Sequence, residues 1–263
     1  IGVLVQQGLL SLDRPAPVPE WQGDPRAQIT IRDLLQMSGG LLFSGQDDPR
    51  QSWKLGVPDH LYIYSDALDA FRFAVDRPAE FPPGTVGRYR NCDPLTLGYI
   101  VRRTVTEVLG RNYLQWPQAA LFDRVGIRRQ VLETDLYGNF LLTGFDYGTA
   151  RNWARLGLLY QQDGVWQGER ILPEGWSAFV STPAPGWEEP RYGGQFWLNG
   201  TGDFALPEEA YVMSGFGEQR VFVVPSADLV VVRMGHRADT DAAKDATNAM
   251  LGALMTAVTA SGG

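Results

Sequence analysis

The chain has 263 residues, 44% of them hydrophobic and 20% charged, which supplies a packed core and places it outside the disordered class. With 23 Lys+Arg against 30 Asp+Glu its net charge is −7, and an acidic chain lacks the basic face that phosphate backbones require, so nucleic acid is excluded as the main partner. A single cysteine (Cys92) and two distant histidines (His60, His236) exclude an intrachain disulfide and a zinc site of His and thiolate ligands, and no apolar run reaches the ~18 residues of a membrane span.

Ile1–Leu10 reads as helix interior from its first residue, with Ile1, Val3, Leu4, Val5, Leu9 and Leu10 apolar and neither a cap nor a basic leader ahead of them. The expectation is that the chain is a fragment truncated at its N-terminus. A Pro-rich loop, Asp13–Pro25, follows. Thr30 and Asp33 have the spacing of a capping box for a helix over Ile31–Met37, closed by Ser38-Gly39-Gly40. Residues 41–63 read as irregular, and Ser65 is expected to cap a helix over Asp66–Val75. Phe81-Pro82-Pro83-Gly84-Thr85 reads as a turn. Asp93-Pro94 reads as the start of a helix with Pro at its first position and a buried stripe of Leu97, Ile100, Val101, Val105 and Val108.

Further helices are expected at Tyr113–Phe122, at Ala150–Gln162 behind a Thr149 cap, and at Pro173–Val180. Beyond residue 190 the pattern changes to strands at Gly194–Leu198, Glu218–Val224 and Leu229–Arg233, the last two joined by the turn Pro225–Asp228. Thr240–Val258 closes the chain as an amphipathic helix. Helices, then an antiparallel meander, then a helix make an α+β order rather than an alternating βαβ one.

Several chemistries are absent from the sequence. There is no G-x-x-x-x-G-K-[ST] phosphate loop, no H-E-x-x-H, no C-x-x-C and no G-x-S-x-G elbow. The acidic pairs Asp47-Asp48 and Glu188-Glu189 read as solvated loop charges. What remains is a series of segments: Ile1–Asp13 (IGVLVQQGLLSLD) with Ile29–Gly40 (ITIRDLLQMSGG), Phe81–Gly98 (FPPGTVGRYRNCDPLTLG), Gly148–Pro173, and Met213–Gly235 (MSGFGEQRVFVVPSADLVVVRMG). In this order and spacing the chain resembles the serine β-lactamase-related hydrolases, which include penicillin-binding proteins, class C β-lactamases and esterases, and most of all the 6-aminohexanoate-dimer hydrolase and esterase branch.

The resemblance implies a β-lactamase/transpeptidase-like fold: one domain over residues 1–263, with a helical lobe at roughly 30–185 and an α/β lobe at 1–29 plus 186–263, in which an antiparallel sheet is flanked by the first and last helices. It implies a serine hydrolase that cleaves an ester or linear amide through an acyl-enzyme, with no cofactor and no metal. The family's S-x-x-K is missing, since Lys54 follows Gln51 by three residues and Lys244 follows Asp241. By resemblance the nucleophile and its lysine lie upstream of Ile1, and the 263 residues alone are expected to be inactive. Ser needs a base within hydrogen-bond reach, and Ser and Lys three apart on a helix share a face.

Tyr89 of the Tyr89-x-Asn91 motif is the candidate to complete the proton relay. A tyrosine titrates near ~10, so it serves as a base only where cations favour the phenolate. If the loop is extended, Asn91 projects in the same direction and bonds a substrate amide or carbonyl. On its own, a tyrosine before a helix is a packing residue and an asparagine there a turn residue. Where β-lactamases carry K-T-G, this chain has Ser214-Gly215-Phe216-Gly217 and no lysine, so a β-lactam carboxylate lacks its cation. A main-chain N–H near Phe216 is expected to serve an oxyanion hole, a stabilisation of roughly 3–4 kcal/mol per donor. Gly215 and Gly217 either allow close substrate approach or form a β-bulge.

Trp53, Tyr62 and Tyr64 are pocket walls or lobe core, His236 is placed at the surface, and His60 is given no role. Two other readings stay open: a penicillin-recognising peptidase or β-lactamase, and a non-catalytic penicillin-binding-like module. The partners expected are a small-molecule ester or amide and, through a bare Val-rich edge at Leu229–Arg233, a second copy of the chain. Many relatives are exported, which slightly favours a periplasmic or exported location by resemblance and leaves a cytoplasmic one open.

Overall fold

The computed structural model describes residues 1–45, 56–235 and 240–261. Asp47, Asp48, Trp53, Lys54 and His236 lie outside the described residues. The chain divides into two units. One comprises Ile1–Arg124, Arg128–Tyr147 and Pro185–Glu188; the other comprises Val125–Ile127, Gly148–Ala184 and Glu189–Gly263.

The first unit contains the helices α1 (Gly2–Gln6), α2 (Ile31–Leu35), α3 (Asp59–Ser65), α4 (Ala70–Val75) and α5 (Cys92–Arg103). A two-stranded antiparallel ribbon of β1 (Val131–Leu132) and β2 (Asp146–Tyr147) completes its named elements. Helix α1 stops short of the expected Leu10. Gly8 takes φ +71°, and the N–H groups of Leu9 and Leu10 fold back onto the Leu4 carbonyl. The capping box of α2 is complete: the Thr30 hydroxyl accepts from the Asp33 N–H at 3.1 Å and the Asp33 carboxylate accepts from the Thr30 N–H at 2.8 Å.

Helix α3 falls inside the stretch read as irregular. It is seated by a reciprocal pair in which the Asp59 N–H donates to Ser44 Oγ at 2.7 Å and the Ser44 N–H donates to Asp59 Oδ2 at 2.9 Å. Ser65 therefore ends α3 instead of starting the next helix, and Asp69 caps α4 by accepting from the Arg72 N–H at 2.9 Å. Helix α5 begins two residues before Pro94, which thus occupies the third helical position. Proline is tolerated there because the N–H groups of the first turn have no intrahelical partner. Helices α2 and α4 both pack on α5, burying Leu34, Phe71, Ala74, Leu95 and Ile100.

The second unit holds α6 (Ala150–Gln161), the ribbon β3 (Val165–Trp166) and β4 (Glu169–Arg170), α7 (Trp176–Ser181), the strands β5 (Trp197–Leu198), β6 (Tyr211–Gly215), β7 (Gln219–Val224) and β8 (Leu229–Arg233), and α8 (Asp241–Ser261). Thr149 caps α6, and Asp163 (φ +43°) and Gly164 (φ +76°) end it, as their sequence order suggests. The last four strands form one antiparallel sheet in the order β5-β6-β7-β8. Register aligns Val212 with Phe222 and Phe222 with Val231. That face meets Leu251 of α8 in a fully buried cluster. The alternate face carries Val221 and Val230 against α6.

The approach of α6 is close because residue 157 has no side chain. A Cβ there would stand 2.6 Å from Val230 Cγ1 and 2.9 Å from Val221 Cγ1, both on stiff β-branched side chains. Gly157→Ala gains about 1 kcal/mol of helix propensity and incurs about 1–3 kcal/mol of overpacking. The expected outcome is a net loss of stability of up to about 2 kcal/mol in a urea melt; a stabilised variant would show that the helix can move off the sheet.

Candidate active site

The segment before α5 is held by backbone bonds rather than by regular structure. Gly84 takes φ +75° at the turn after Pro82-Pro83, and its N–H donates to the Ser38 carbonyl at 2.9 Å. The Gly87 N–H donates to the Gly186 carbonyl at 2.6 Å and the Arg88 N–H to the Met37 carbonyl at 3.1 Å. Trp187 lies across Gly87, where a Cβ would come within 2.2 Å of the indole, and its Nε1 donates to the Gln36 carbonyl at 2.9 Å. Tyr89 thus stands on a short length of chain fixed at both ends.

Tyr89 and Asn91 do not project alike. Tyr89 keeps 38% of its surface exposed, whereas Asn91 is fully buried and already has helical backbone angles (φ −66°, ψ −14°) as the residue before α5. The expectation of a locally extended pair fails because the helix starts earlier than Pro94 suggests. The Asn91 side chain makes no cap to its own helix. Its Nδ2 instead donates to the Tyr64 hydroxyl at 3.2 Å and lies 3.0 Å from His60 Nδ1. The Tyr64 hydroxyl donates to the Thr143 carbonyl at 2.9 Å. His60 and Tyr64 are four apart on α3, which places both on the face that meets Asn91. Asn91 Oδ1 is buried and has no hydrogen-bond partner among the described residues.

Burial pushes the pKa of Tyr89 up, and the nearby Tyr64 adds to the effect. Burial likewise raises Tyr64, against the opposing bonds to Thr143 and Asn91. Both side chains are therefore held as phenols. The neighbours Arg88 and Arg90 do not supply the cation expected to favour a phenolate: their guanidinium carbons sit 5.0 and 5.5 Å from the Phe81 ring centre. Arg90 is 1% exposed, and its three guanidinium nitrogens find no hydrogen-bond partner among the described residues. Asp93, also buried, accepts from the Gly39 N–H at 3.1 Å; burial lifts its pKa to about 7, with the Arg90 charge opposing the rise. Burial, followed by the charge of Asp93, pushes the adjacent Cys92 thiol well up.

In the second unit, Ser214 and Gly215 end β6, paired with Arg220 and Gln219 of β7. Phe216, Gly217 and Glu218 form the turn between them. Gly217 (φ +71°) and Glu218 (φ +66°) are both left-handed, so Gly217 belongs to the three-residue hairpin loop, while Gly215 closes β6 opposite Gln219. Arg220 bonds the Glu218 carboxylate at 2.7 Å and Arg233 Nη1 donates to the Glu218 carbonyl at 2.7 Å, which fixes the turn from below. Phe216 is 99% exposed at its tip. Among the described residues, no group of three or more His, Cys, Asp or Glu is placed to hold a metal ion, and no helix is long and apolar enough to cross a membrane.

The beta-lactamase family profile matches residues 1–254. The chain belongs to the beta-lactamase family. No curated protein matches it at the sequence level. Among solved structures it is similar to a Bacillus anthracis protein named as a 6-aminohexanoate-dimer hydrolase, with TM-score 0.70 and 18% identity over 95% of this chain and 67% of that one. It is similar to a Mycobacterium bovis beta-lactamase (TM-score 0.65, 19% identity, 98% and 82% covered). A family VIII carboxylesterase also matches (TM-score 0.67, 15% identity, 91% and 74% covered). The fold is thus beta-lactamase/transpeptidase-like.

Within this beta-lactamase-family chain the two halves of the expected site lie in different units: Tyr89 and Asn91 in the first, Ser214–Gly217 in the second. Sequence reasoning missed His60. The spacing His-x-x-x-Tyr on α3 was the available signal, but it gains meaning only when α3 is recognised as a helix. Tyr62, half-buried, packs its ring on Phe73 at 4.8 Å, while Tyr64 is a polar contact of the motif.

The raised pKa of Asp93 has a measurable sign. The folded state holds this proton up to about pH 7 while the unfolded chain releases it near 4, so its contribution to stability is full below about 4 and is lost as pH rises toward 7. Asp93→Asn, which keeps an acceptor for the Gly39 N–H, is expected to lose less stability than the parent between pH 4 and 7 in denaturant melts; parallel curves would show that Asp93 is ionised throughout.

Proposed function

We propose that the chain forms the body of a serine hydrolase that cleaves an ester or an unstrained linear amide through an acyl-enzyme. Membership of the beta-lactamase family supports hydrolase chemistry in general. The observation that carries the finer reading is the Tyr89–Asn91 pair: a partly exposed phenol on a clamped loop, two residues from a buried amide whose oxygen has no hydrogen-bond partner among the described residues. In this reading the serine and lysine of S-x-x-K come from polypeptide upstream of Ile1. The serine Oγ attacks the substrate carbonyl, and its proton passes through the lysine amine and Tyr89 to the leaving oxygen or nitrogen. Water then reverses the path to free the acid.

Tyr89 enters this cycle as a phenol, because burial disfavours its charge. Its proton is ready for the leaving group, and an ammonium nearby stabilises the phenolate that results. The buried Asn91 Oδ1 suits the same cation, since a buried acceptor with no partner among the described residues favours a charged donor. Main-chain N–H groups at the serine and near Phe216 serve the oxyanion. The exposed Phe216 and the absence of a K-T-G lysine fit an uncharged acyl group better than a β-lactam carboxylate. We also propose that β8, last in the sheet order, is the edge through which two copies pair.

A full-length protein with its upstream segment is expected to be labelled on serine by a fluorophosphonate and to turn over short-chain aryl esters. Tyr89→Phe is expected to lower kcat by about 10²–10⁴-fold. Absence of label, or an unchanged kcat in the variant, overturns the reading; a stable penicillin adduct would move the chain to the penicillin-recognising peptidases. Sedimentation of residues 1–263 alone is expected to give a dimer, and a strict monomer removes the β8 pairing.

A further inference from the structure

The hydrogen count around Asn91 can be closed atom by atom. A tyrosine hydroxyl has one hydrogen, and that of Tyr64 goes to the Thr143 carbonyl at 2.9 Å. Toward Asn91, at 3.2 Å, the same oxygen therefore accepts, and only the amide nitrogen can face it. The orientation of the amide follows from the Tyr64 bond and not from a choice of fit. The second N–H of Nδ2 then meets His60 Nδ1 at 3.0 Å, so that ring nitrogen presents a lone pair. An imidazole that accepts at Nδ1 carries its proton on Nε2.

We propose that His60 is a positioning residue, held neutral with its proton on Nε2, which together with Tyr64 fixes the Asn91 amide so that Oδ1 is left as the atom with no partner among the described residues. Both side-chain N–H groups are engaged, so Asn91 has none left for a substrate carbonyl, and the expectation that it bonds one is replaced. Residue 91 reads a donor, whether an ammonium or an amide N–H. This deepens the hydrolase reading and rests on it only for what the donor is. The seating of α3 supports the geometry. The main-chain N–H of His60 donates to the Ser44 carbonyl at 3.1 Å, directly beside the reciprocal Ser44–Asp59 bonds, and the His60 and Tyr64 rings meet edge to face at 5.8 Å.

Long-range ¹H–¹⁵N spectra of the labelled full-length protein, recorded where imidazole is neutral, test this without reference to activity. The His60 ring, distinguished from that of His236 by its loss in His60→Gln, is expected in the Nε2–H form. Tyr64→Phe, which frees the amide to turn, is expected to convert it partly to Nδ1–H. A wild-type ring in the Nδ1–H form, or one indifferent to Tyr64→Phe, overturns the proposal. In turnover, His60→Leu is expected to lower kcat about tenfold with little change in KM, the scale of one unmet buried hydrogen bond, while His60→Gln restores most of it through its carbonyl acceptor. Equal kcat in the two variants overturns the positioning role. The Nε2–H form in a protein with no ester turnover leaves the amide lock standing and removes the hydrolase reading.

Discussion

A buried carboxamide has to place two donors and one acceptor, and in this chain that requirement organises the first unit around Asn91. Two helices and a loop answer it: α3 through His60 and Tyr64, the 143 carbonyl through Tyr64, and α5 by starting at the next residue. An unmet buried polar group costs roughly 1–3 kcal/mol, so each contact constrains where its element can sit. Of the atoms of this amide, Oδ1 alone has no hydrogen-bond partner among the described residues.

The electrostatics nearby follow the same logic. Arg90 and Asp93 lie on either side of Asn91 and Cys92 in sequence and are both buried, and Arg77 meets Asp59 at 3.7 Å in the same unit. Buried charges of this sort add little to stability and a good deal to geometry, because each can be accommodated in few arrangements. Arg88 and Arg90 both stack on Phe81, and desolvation is the main influence on the proton of Tyr89.

Much of the architecture was legible in the sequence where the signal is local. Thr30 with Asp33, Thr149 ahead of α6, and the unbroken Val-rich runs of β7 and β8 are each legible within their own element, through one or two hydrogen bonds or a short apolar run between turn residues. Helix α3 was not legible, because Pro58 caps it without a side-chain bond and Asp-His-Leu-Tyr-Ile-Tyr-Ser shows no helical stripe; its start depends on Ser44, fifteen residues earlier. The site shows the same division. Tyr89 and Asn91 form a local motif, whereas His60 lies thirty-one residues from Asn91, and its contact depends on tertiary structure. The exposed phenylalanine at 216 was found by resemblance, while the left-handed pair behind it needed the backbone.

The lone thiol has a use of its own. Cys92 is the residue after Asn91, fully buried at the first turn of α5, with its ionisation suppressed by burial and by Asp93. In the closed molecule it is inert to alkylation, and it becomes reactive only when that turn comes apart. The rate at which iodoacetamide or a maleimide consumes it is therefore a clock for how often the motif-bearing segment opens, readable by mass spectrometry with no engineered label and no competing cysteine in the chain.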